Sequence, residues 1–382
     1  MSRSRSSEAT ETGEVPSAAV FAFSLAYLPL FAVAAWWGGW ALLAVPVVLW
    51  GGASLADYLL PANTRNPTIR MLERRLVWHD RLLLAWTPIQ ILLIFGTLAL
   101  ITQTDRIGTA EAIGLMACVG IGTGTFGVTY AHELMHRRNR VAKSAAKIIL
   151  ISILYGHFFT EHLRVHHRYV GTPRDAVTAR YNESVYRFLL RVLPGSFLSA
   201  WQVEAARLRQ RGKGAWSLDN PFWQYIGGAA AFLFLAWLVG GWLGIILFLL
   251  QTLIAILLTE FVNFVQHYGL TRKHLGGGRY EHTREWHSWN ATRPATGYML
   301  VNLQRHSDHH FKPERHYPVL QTYPESTAPH LPFGYPVMVA MATVPQWWRW
   351  VMNRRVRRWR AQHYPEIEDW GPYNNMDLPL PQ

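Results

Sequence analysis

Seventeen histidines stand in this 382-residue chain, and most of them sit in short groups that follow long apolar runs. His132-Glu133-Leu134-Met135-His136 puts two imidazoles four residues apart. Glu161-His162-Leu163-Arg164-Val165-His166-His167 repeats that interval and adds a neighbour. Gln304-Arg305-His306-Ser307-Asp308-His309-His310 gives intervals of three and four, and His267 closes Asn263-Phe264-Val265-Gln266-His267. Residues three and four apart on a helix face the same way, so each group can aim its rings at one point. A tetrahedral zinc site takes fewer ligands than these nine imidazoles supply. Two ions with about five or six ligands each would use all of them and leave places for water or oxygen. Imidazole suits zinc, copper, iron or nickel, so the count alone leaves the element open. Paired metals with open positions at a membrane surface favour oxygen chemistry with iron.

Three local matches lead elsewhere. His132-Glu133-x-x-His136 is the zincin pattern, which needs one further ligand rather than seven, with Glu133 as its general base. Gly122-x-Gly124-x-x-Gly127 matches a dinucleotide fingerprint, but it lies inside an apolar run with no preceding strand. Small residues there suit close helix packing. Glu133-x-x-His136 also matches half of a carboxylate-bridged di-iron bundle, whose partner carboxylates are absent. The lone Cys118 forms neither a disulfide nor a cysteine metal site.

The elements that must carry these histidines are legible from composition. Half of the residues are hydrophobic and only 16% are charged, below the roughly 25% charged residues of an ordinary soluble domain. Four stretches contain no Asp, Glu, Lys or Arg: Val15–Ala56, Leu82–Thr104, Ala112–His132 and Asn220–Thr259. A membrane-spanning helix needs about 20 apolar residues. The first and last stretches are twice that length and are broken at Gly38-Gly39 and Gly240-Gly241, so each is expected to form a helical hairpin. The expectation is an all-α polytopic membrane protein: six transmembrane helices with a cytoplasmic, His-rich catalytic cap. Its segments run as a polar tail over 1–14, four spans over 15–132, a cytoplasmic segment over 133–219, two spans over 220–267 and a cytoplasmic segment over 268–382. The first apolar run is too long for a cleaved signal peptide, and a second span follows it at once.

Of the 37 Lys and Arg, only Arg106 falls on the far side of the spans. Cytoplasmic loops retain Lys and Arg, so both termini are expected in the cytoplasm. The net charge of +13 is thereby a topology signal; no nucleic-acid reading element accompanies it, and no nucleic-acid partner is expected. Residues 184–210 and 335–359 mix Arg with Leu, Phe and Trp at helical spacing, as helices at the lipid headgroups do. Packing over the cytoplasmic domain explains them equally well. Ile148 to Thr160 is too short to span and is expected to dip into the membrane or form a buried helix.

From about residue 125 to 350 the chain resembles the integral-membrane alkane 1-monooxygenase (alkane hydroxylase) family. The likeness rests on the 132–136 group, Tyr155-Gly156-His157-Phe158-Phe159-Thr160-Glu161-His162, and Asn263-Phe264-Val265-Gln266-His267-Tyr268-Gly269-Leu270. It continues through His287-Ser288-Trp289-Asn290 and Leu303-Gln304-Arg305-His306-Ser307-Asp308-His309-His310. More distantly the chain is similar to xylene-type monooxygenases and membrane fatty-acid desaturases. Leu163 and Val165 stand where the first family usually has Asn and Gly, and Gln266 where Glu is common.

The resemblance implies a six-helix membrane enzyme with two non-haem Fe ions, O2 as co-substrate and a lipid-soluble hydrocarbon as substrate. It implies electrons from rubredoxin and an NAD(P)H-dependent rubredoxin reductase, and a place in the bacterial inner membrane. The implied iron ligands are His132, His136, His162, His166, His167, His267, His306, His309 and His310. Metal-bound His usually donates its other ring N–H to an acceptor, for which Glu133, Glu161, Asp308 and Glu260 are nearest in sequence. Asn263 can hold a metal-bound water, and His157, His282 and His287 are further supporting candidates. No Cys-x-x-Cys pair is present, so reducing equivalents are expected from a separate protein docking on the basic 137–215 face. Three substrate classes stay open: n-alkanes, aryl or terpene methyl groups, and fatty acyl chains. A metal transporter would instead place its ligands at mid-membrane.

Overall fold

The computed structural model describes residues 12–68 and 76–381. Most of the N-terminal tail, and Arg70, Arg74 and Arg75 of the first basic stretch, lie outside them. Apart from a two-residue parallel pairing of Thr12–Gly13 with Asn66–Pro67, the regular structure is helical.

Among the described residues, five helices are long and apolar enough to cross a membrane: α1 (Ala18–Trp37), α2 (Gly39–Leu59), α3 (Val77–Thr102), α4 (Thr109–Met135) and a longer one, Phe222–His267. Gly38 separates α1 from α2 with φ 65°, a left-handed conformation that side chains resist. Between α4 and the long helix lie α5 (Arg140–Ile151), α6 over 158–169, and α7 (Val185–Arg209). The long helix, α8, has 46 residues. Drawn straight it would extend about 69 Å, far beyond a hydrocarbon core of about 30 Å. It is not straight: Gly240 (φ −142°, ψ 19°) and Gly241 (φ 57°, ψ −144°) leave helical geometry. A side chain on Gly244 would collide with the Ala236 carbonyl, a contact that residues eight apart in a straight helix never make. The expected break is therefore present, and the two halves fold against each other there.

The glycines of α4 act in packing. An added Cβ would lie 2.8 Å from the Gln251 carbonyl oxygen at Gly120, and 2.8 Å from the Ala255 Cα at Gly124. Buried polar side chains tie the same helices together. Thr123 Oγ1 donates to Gln251 Oε1 (3.1 Å), and Gln90 Nε2 donates to Ser152 Oγ (2.7 Å) and the Ile149 carbonyl (3.0 Å). Such bonds across apolar helices satisfy these polar side chains within the helix packing. Gly120→Val is expected to destabilise the protein by about 1–3 kcal/mol, read as a lower Tm in detergent. Gly227→Val, where a Cβ meets nothing within 4 Å, is the control, and equal Tm losses at both positions would refute the packing argument.

The chain from Ile148 to Thr160 is not one helix. α5 stops at Ile151, a turn with Leu154 at φ 54° follows, and α6 starts at Phe158. Ile149, Leu150, Ile153, Tyr155 and Phe158 are buried here, so this stretch contributes to the core and has a corner in it. The 335–359 stretch is likewise two helices, α11 (Tyr335–Ala342) and α12 (Pro345–His363), with Pro345 starting the second. On α12, Trp347 and Trp350 face outward while Trp348, Met352, Val356 and Trp359 are buried. On α7, Leu190 is exposed and Phe188 and Val192 are buried. Two short helices complete the site's frame: α9 (Pro294–Met299) and α10 (His306–Phe311).

Candidate metal centre

The nine histidines come from four elements. The end of α4 supplies His132 and His136, α6 supplies His162, His166 and His167, the end of α8 supplies His267, and α10 supplies His306, His309 and His310. Local backbone decides how they are shared. In α6 the residues His162–His166 form a π turn, closed by the His167 N–H donating to the His162 carbonyl. That wider turn brings residues five apart together, as π turns often do at functional sites. Ahead of α10, Val301 (φ 44°) and Asn302 (φ 59°) hold left-handed conformations. Asn tolerates this better than a β-branched residue, and Asn302 is fixed by its N–H to the Gly297 carbonyl (2.7 Å) and its Nδ2 to the Tyr317 carbonyl (2.9 Å).

The rings converge on two points rather than one point per sequence group. His132, His136, His162, His167 and His309 form one set; His166, His267, His306 and His310 form the other, and within each set the donor nitrogens lie within 4.8 Å of one another. Helical spacing lets each sequence group aim at one point, yet the structure divides two of the groups between the foci. His166 parts from His162 and His167, and His309 parts from His306 and His310. In the first set, Nε2 of His162 lies 3.1 Å from that of His136 and 2.9 Å from that of His167, which is 3.1 Å from that of His309. In the second, Nε2 of His310 lies 3.2 Å from that of His166 and 3.0 Å from that of His306, itself 3.0 Å from that of His267.

This donor arrangement fits bound metal. A neutral imidazole nitrogen carries either one hydrogen or one lone pair, so the Nε2 of His162 cannot satisfy two converging nitrogens. Both ring nitrogens of His132 are buried with no hydrogen-bond partner among the described residues. A cation at each focus resolves both problems, since ligation needs neutral imidazoles with free lone pairs.

Burial, reinforced by the neighbouring imidazoles, holds His136, His162, His167, His306, His309 and His310 well below ordinary histidine basicity. In the unfolded chain these groups titrate near about 6.5. Between the two ranges the unfolded state binds protons that the folded state refuses, so stability falls as pH drops. Metal-free protein is expected to lose thermal stability when taken from about pH 7.5 to about pH 5.5, across the ordinary histidine range. A Tm equal at both values would refute this.

The acids expected to orient the rings are placed otherwise. Glu133 Oε2 accepts from the Tyr317 N–H (3.3 Å) and pairs with Arg137 (3.4 Å). Asp308 receives Arg315, the Tyr323 hydroxyl (2.5 Å) and the Gln321 N–H (2.8 Å). Glu260 Oε1 receives the Tyr155 hydroxyl (2.6 Å) and Asn263 Nδ2 (3.3 Å). Both oxygens of Glu161 are buried with no hydrogen-bond partner among the described residues; burial, and then Asp175 and Glu260, push its carboxyl well up. None of these four acids bonds a ring of the nine among the described residues.

The acid that does is Asp175, which the sequence reading missed. Its Oδ2 accepts the Nδ1–H of His166 (3.0 Å) and the Thr178 hydroxyl (2.6 Å), and its Oδ1 accepts the Val177 N–H (3.0 Å). Its side-chain bonds to positions two and three residues on are a common turn for Asp, and that pattern is the only trace it leaves in the sequence.

His157 lies edge-on to Tyr155 and Phe197, with ring centroids 4.7 and 5.1 Å away, and burial lowers it to about 4. His282 is exposed. His287 Nε2 faces the Tyr364 hydroxyl (2.7 Å) and Glu281 (3.3 Å), while its Nδ1 accepts the Arg284 N–H (2.8 Å). The structure brings neither His282 nor His287 to the centre: the loop after α8 leaves His282 exposed and carries His287 to a separate network with the C-terminal segment.

Against the histidines lies a cavity of about 820 Å³, counted to its open edge. His132, His162 and His306 are among its polar lining residues, and Trp50, Phe158, Val262, Met299, Leu303 and Val339 are among its apolar ones. A lipid-soluble chain can lie in such a space with one end at the imidazoles.

Comparisons with known proteins point to one group of relatives. Residues 110–342 match the family model for fatty acid desaturases. Alkane 1-monooxygenase 1 of Pseudomonas aeruginosa is 36% identical over 84% of both chains. Alkane 1-monooxygenase of Pseudomonas putida is 34% identical, over 86% of this chain and 82% of its own. The xylene/toluene monooxygenase hydroxylase component XylM of Pseudomonas putida is 28% identical over 71% of this chain and 72% of its own.

Proposed function

Because the chain belongs to the alkane 1-monooxygenase family, with a fatty acid desaturase domain, we propose that it converts an n-alkane to the 1-alkanol with O2 at a di-iron centre. The observation that carries this reading is the pair of imidazole sets lining an apolar cavity through His132, His162 and His306. His132, His136, His162, His167 and His309 would hold one iron and His166, His267, His306 and His310 the other. Two bound irons supply reductive activation of O2 and insertion of one oxygen atom into a C–H bond.

The chain's own residues do the rest. The apolar walls take up the alkane and exclude water, so only a methyl end reaches the imidazoles. Confinement of this kind turns a chance encounter into a fixed approach. Asp175 holds His166 by its Nδ1–H, which keeps Nε2 free to ligate. The Tyr155 hydroxyl donates to Glu260 Oε1, which gives each of these buried groups a partner.

In this reading α8 counts as two spans, giving six in the bacterial inner membrane, with both termini and the histidines on the cytoplasmic side. Electrons arrive from rubredoxin and its NAD(P)H-dependent reductase, which dock on the basic cytoplasmic face. Likeness to a xylene/toluene monooxygenase component supports a second reading, hydroxylation of aryl methyl groups. Membranes carrying the protein, supplied with rubredoxin, reductase, NADH and O2, are expected to form 1-octanol, 1-dodecanol or 1-hexadecanol from the matching alkanes. Product from p-xylene alone would favour the second reading, and no product from any of these hydrocarbons would refute both.

A further inference from the structure

Asp57 lies near the end of α2 and is 3% exposed. A buried acid at the end of an apolar helix needs a reason and partners. Its partners are all on α9: Oδ1 accepts the Ala295 N–H (2.8 Å) and the Thr296 N–H (3.1 Å), and Oδ2 accepts the Thr296 hydroxyl. A third helix approaches the same carboxylate. A Cβ on Gly334, which precedes α11, would lie 2.7 Å from Asp57 Oδ2 and 3.1 Å from Thr296 Oγ1.

These three helices all line the cavity. α2 contributes Trp50, the end of α9 contributes Met299, and α11 contributes Tyr335 and Val339. Trp50 precedes Asp57 by seven residues on α2, in a wider π-helical stretch over Val47–Gly52. The contact also continues toward the ligands. Gln304 Nε2 donates to Thr296 Oγ1 (2.8 Å) and to the Arg293 carbonyl (3.2 Å), two residues before His306.

We propose that Asp57 is a positioning residue for substrate selection: by pinning α9 to α2 beneath α11, it sets the space between the apolar wall and the imidazoles and so the chain length that fits. This rests on the hydrocarbon reading above and adds a residue that fixes part of the cavity's apolar wall. Asp57 does not touch the hydrocarbon itself. Asn at position 57 still accepts the two backbone N–H groups through one oxygen but offers no second oxygen to the Thr296 hydroxyl. Loosening the pin widens the gap, and longer chains gain relative to shorter ones.

The test compares the wild type with Asp57→Asn, Thr296→Val and Thr296→Ser. Membranes receive an equimolar mixture of octane, dodecane and hexadecane, and the ratio of 1-alkanols is measured beside iron content. A second readout needs no turnover: the rise in Tm that each alkane gives the detergent-solubilised protein. Asp57→Asn and Thr296→Val are expected to raise the hexadecanol-to-octanol ratio by about threefold or more. They should move the largest Tm rise to a longer alkane with iron unchanged, and Thr296→Ser should retain the wild-type profile. Thr296→Val removes one hydroxyl from a position whose backbone bond to Asp57 remains, so it reports even if Asp57→Asn fails to fold. Product ratios and Tm profiles that match the wild type in Thr296→Val, or a Thr296→Ser profile shifted like that of Val, would overturn the proposal. A wild type that alkanes stabilise but that oxidises none of them would refute the hydroxylase reading instead, leaving the Tm profiles to judge Asp57.

Discussion

Replacing His166 or His167 by Ala is expected to abolish hydroxylation in both cases, yet to empty different metal positions. The two residues are adjacent, but the π turn of α6 sends His167 to the set with His132, His136, His162 and His309, and His166 to the set with His267, His306 and His310. Loss of one ligand from a set of four leaves three protein ligands, and loss from a set of five leaves four. Each variant should therefore retain about one tightly held iron per chain. Mössbauer spectra of the two variants loaded with 57Fe should differ, because the surviving iron has five nitrogen donors in one and four in the other. Identical spectra, or a fully loaded and active His166→Ala protein, would sink the five-and-four division. The same experiment on His306→Ala and His309→Ala makes an independent check, since α10 is divided in the same way.

The second large effect is expected at Asp175. Asp175→Asn should lower iron affinity or turnover by roughly 10–100-fold, although Asp175 is not itself a proposed ligand. The carboxylate accepts the Nδ1–H of His166 while being held by Thr178 and Val177. An amide at this position can turn its NH2 toward the ring and force the proton onto Nε2, the atom that faces His310 at 3.2 Å. Iron titration monitored by elemental analysis, with turnover measured on the same samples, reads the result. Because Glu133, Asp308 and Glu260 bond other groups, Glu133→Gln should change iron content far less. Equal losses in Asp175→Asn and Glu133→Gln would mean that both act on folding alone.

The sequence made some of this plain and hid the rest, for physical reasons. Charge-free runs and their glycine breaks are local properties, so Gly38 and Gly241 marked turns that the backbone does take. The histidine intervals marked which side chains come together, since spacing along a helix is also local. Their division between two foci was not legible: an α-helical rule groups His162 with His166, and a π turn pairs His162 with His167 instead. Nothing in Leu163-Arg164-Val165 announces that wider turn. Sequence proximity also misled the search for orienting acids. Glu133 and Asp308 adjoin ligands along the chain but point to Arg137 and Arg315, whereas Asp175 reaches His166 through a turn nine residues later. His287 shares a motif with the resemblance, yet tertiary packing delivers it to Tyr364.

One feature of the rings bears on the metal-free protein. Asp175 gives His166 an acceptor on Nδ1, but the Nδ1 atoms of His132, His167, His267, His306, His309 and His310 have no hydrogen-bond partner among the described residues. The protein therefore specifies a tautomer at His166 and leaves these six undecided. Without metal, each of the six can carry its proton on either nitrogen, and the centre is a population of tautomers rather than one arrangement. Cation binding selects the single tautomer with every proton on Nδ1, so the metal completes the specification that the polypeptide leaves open. Nitrogen-15 spectra should accordingly show a settled His166 ring in the metal-free state and exchange-averaged signals from these six.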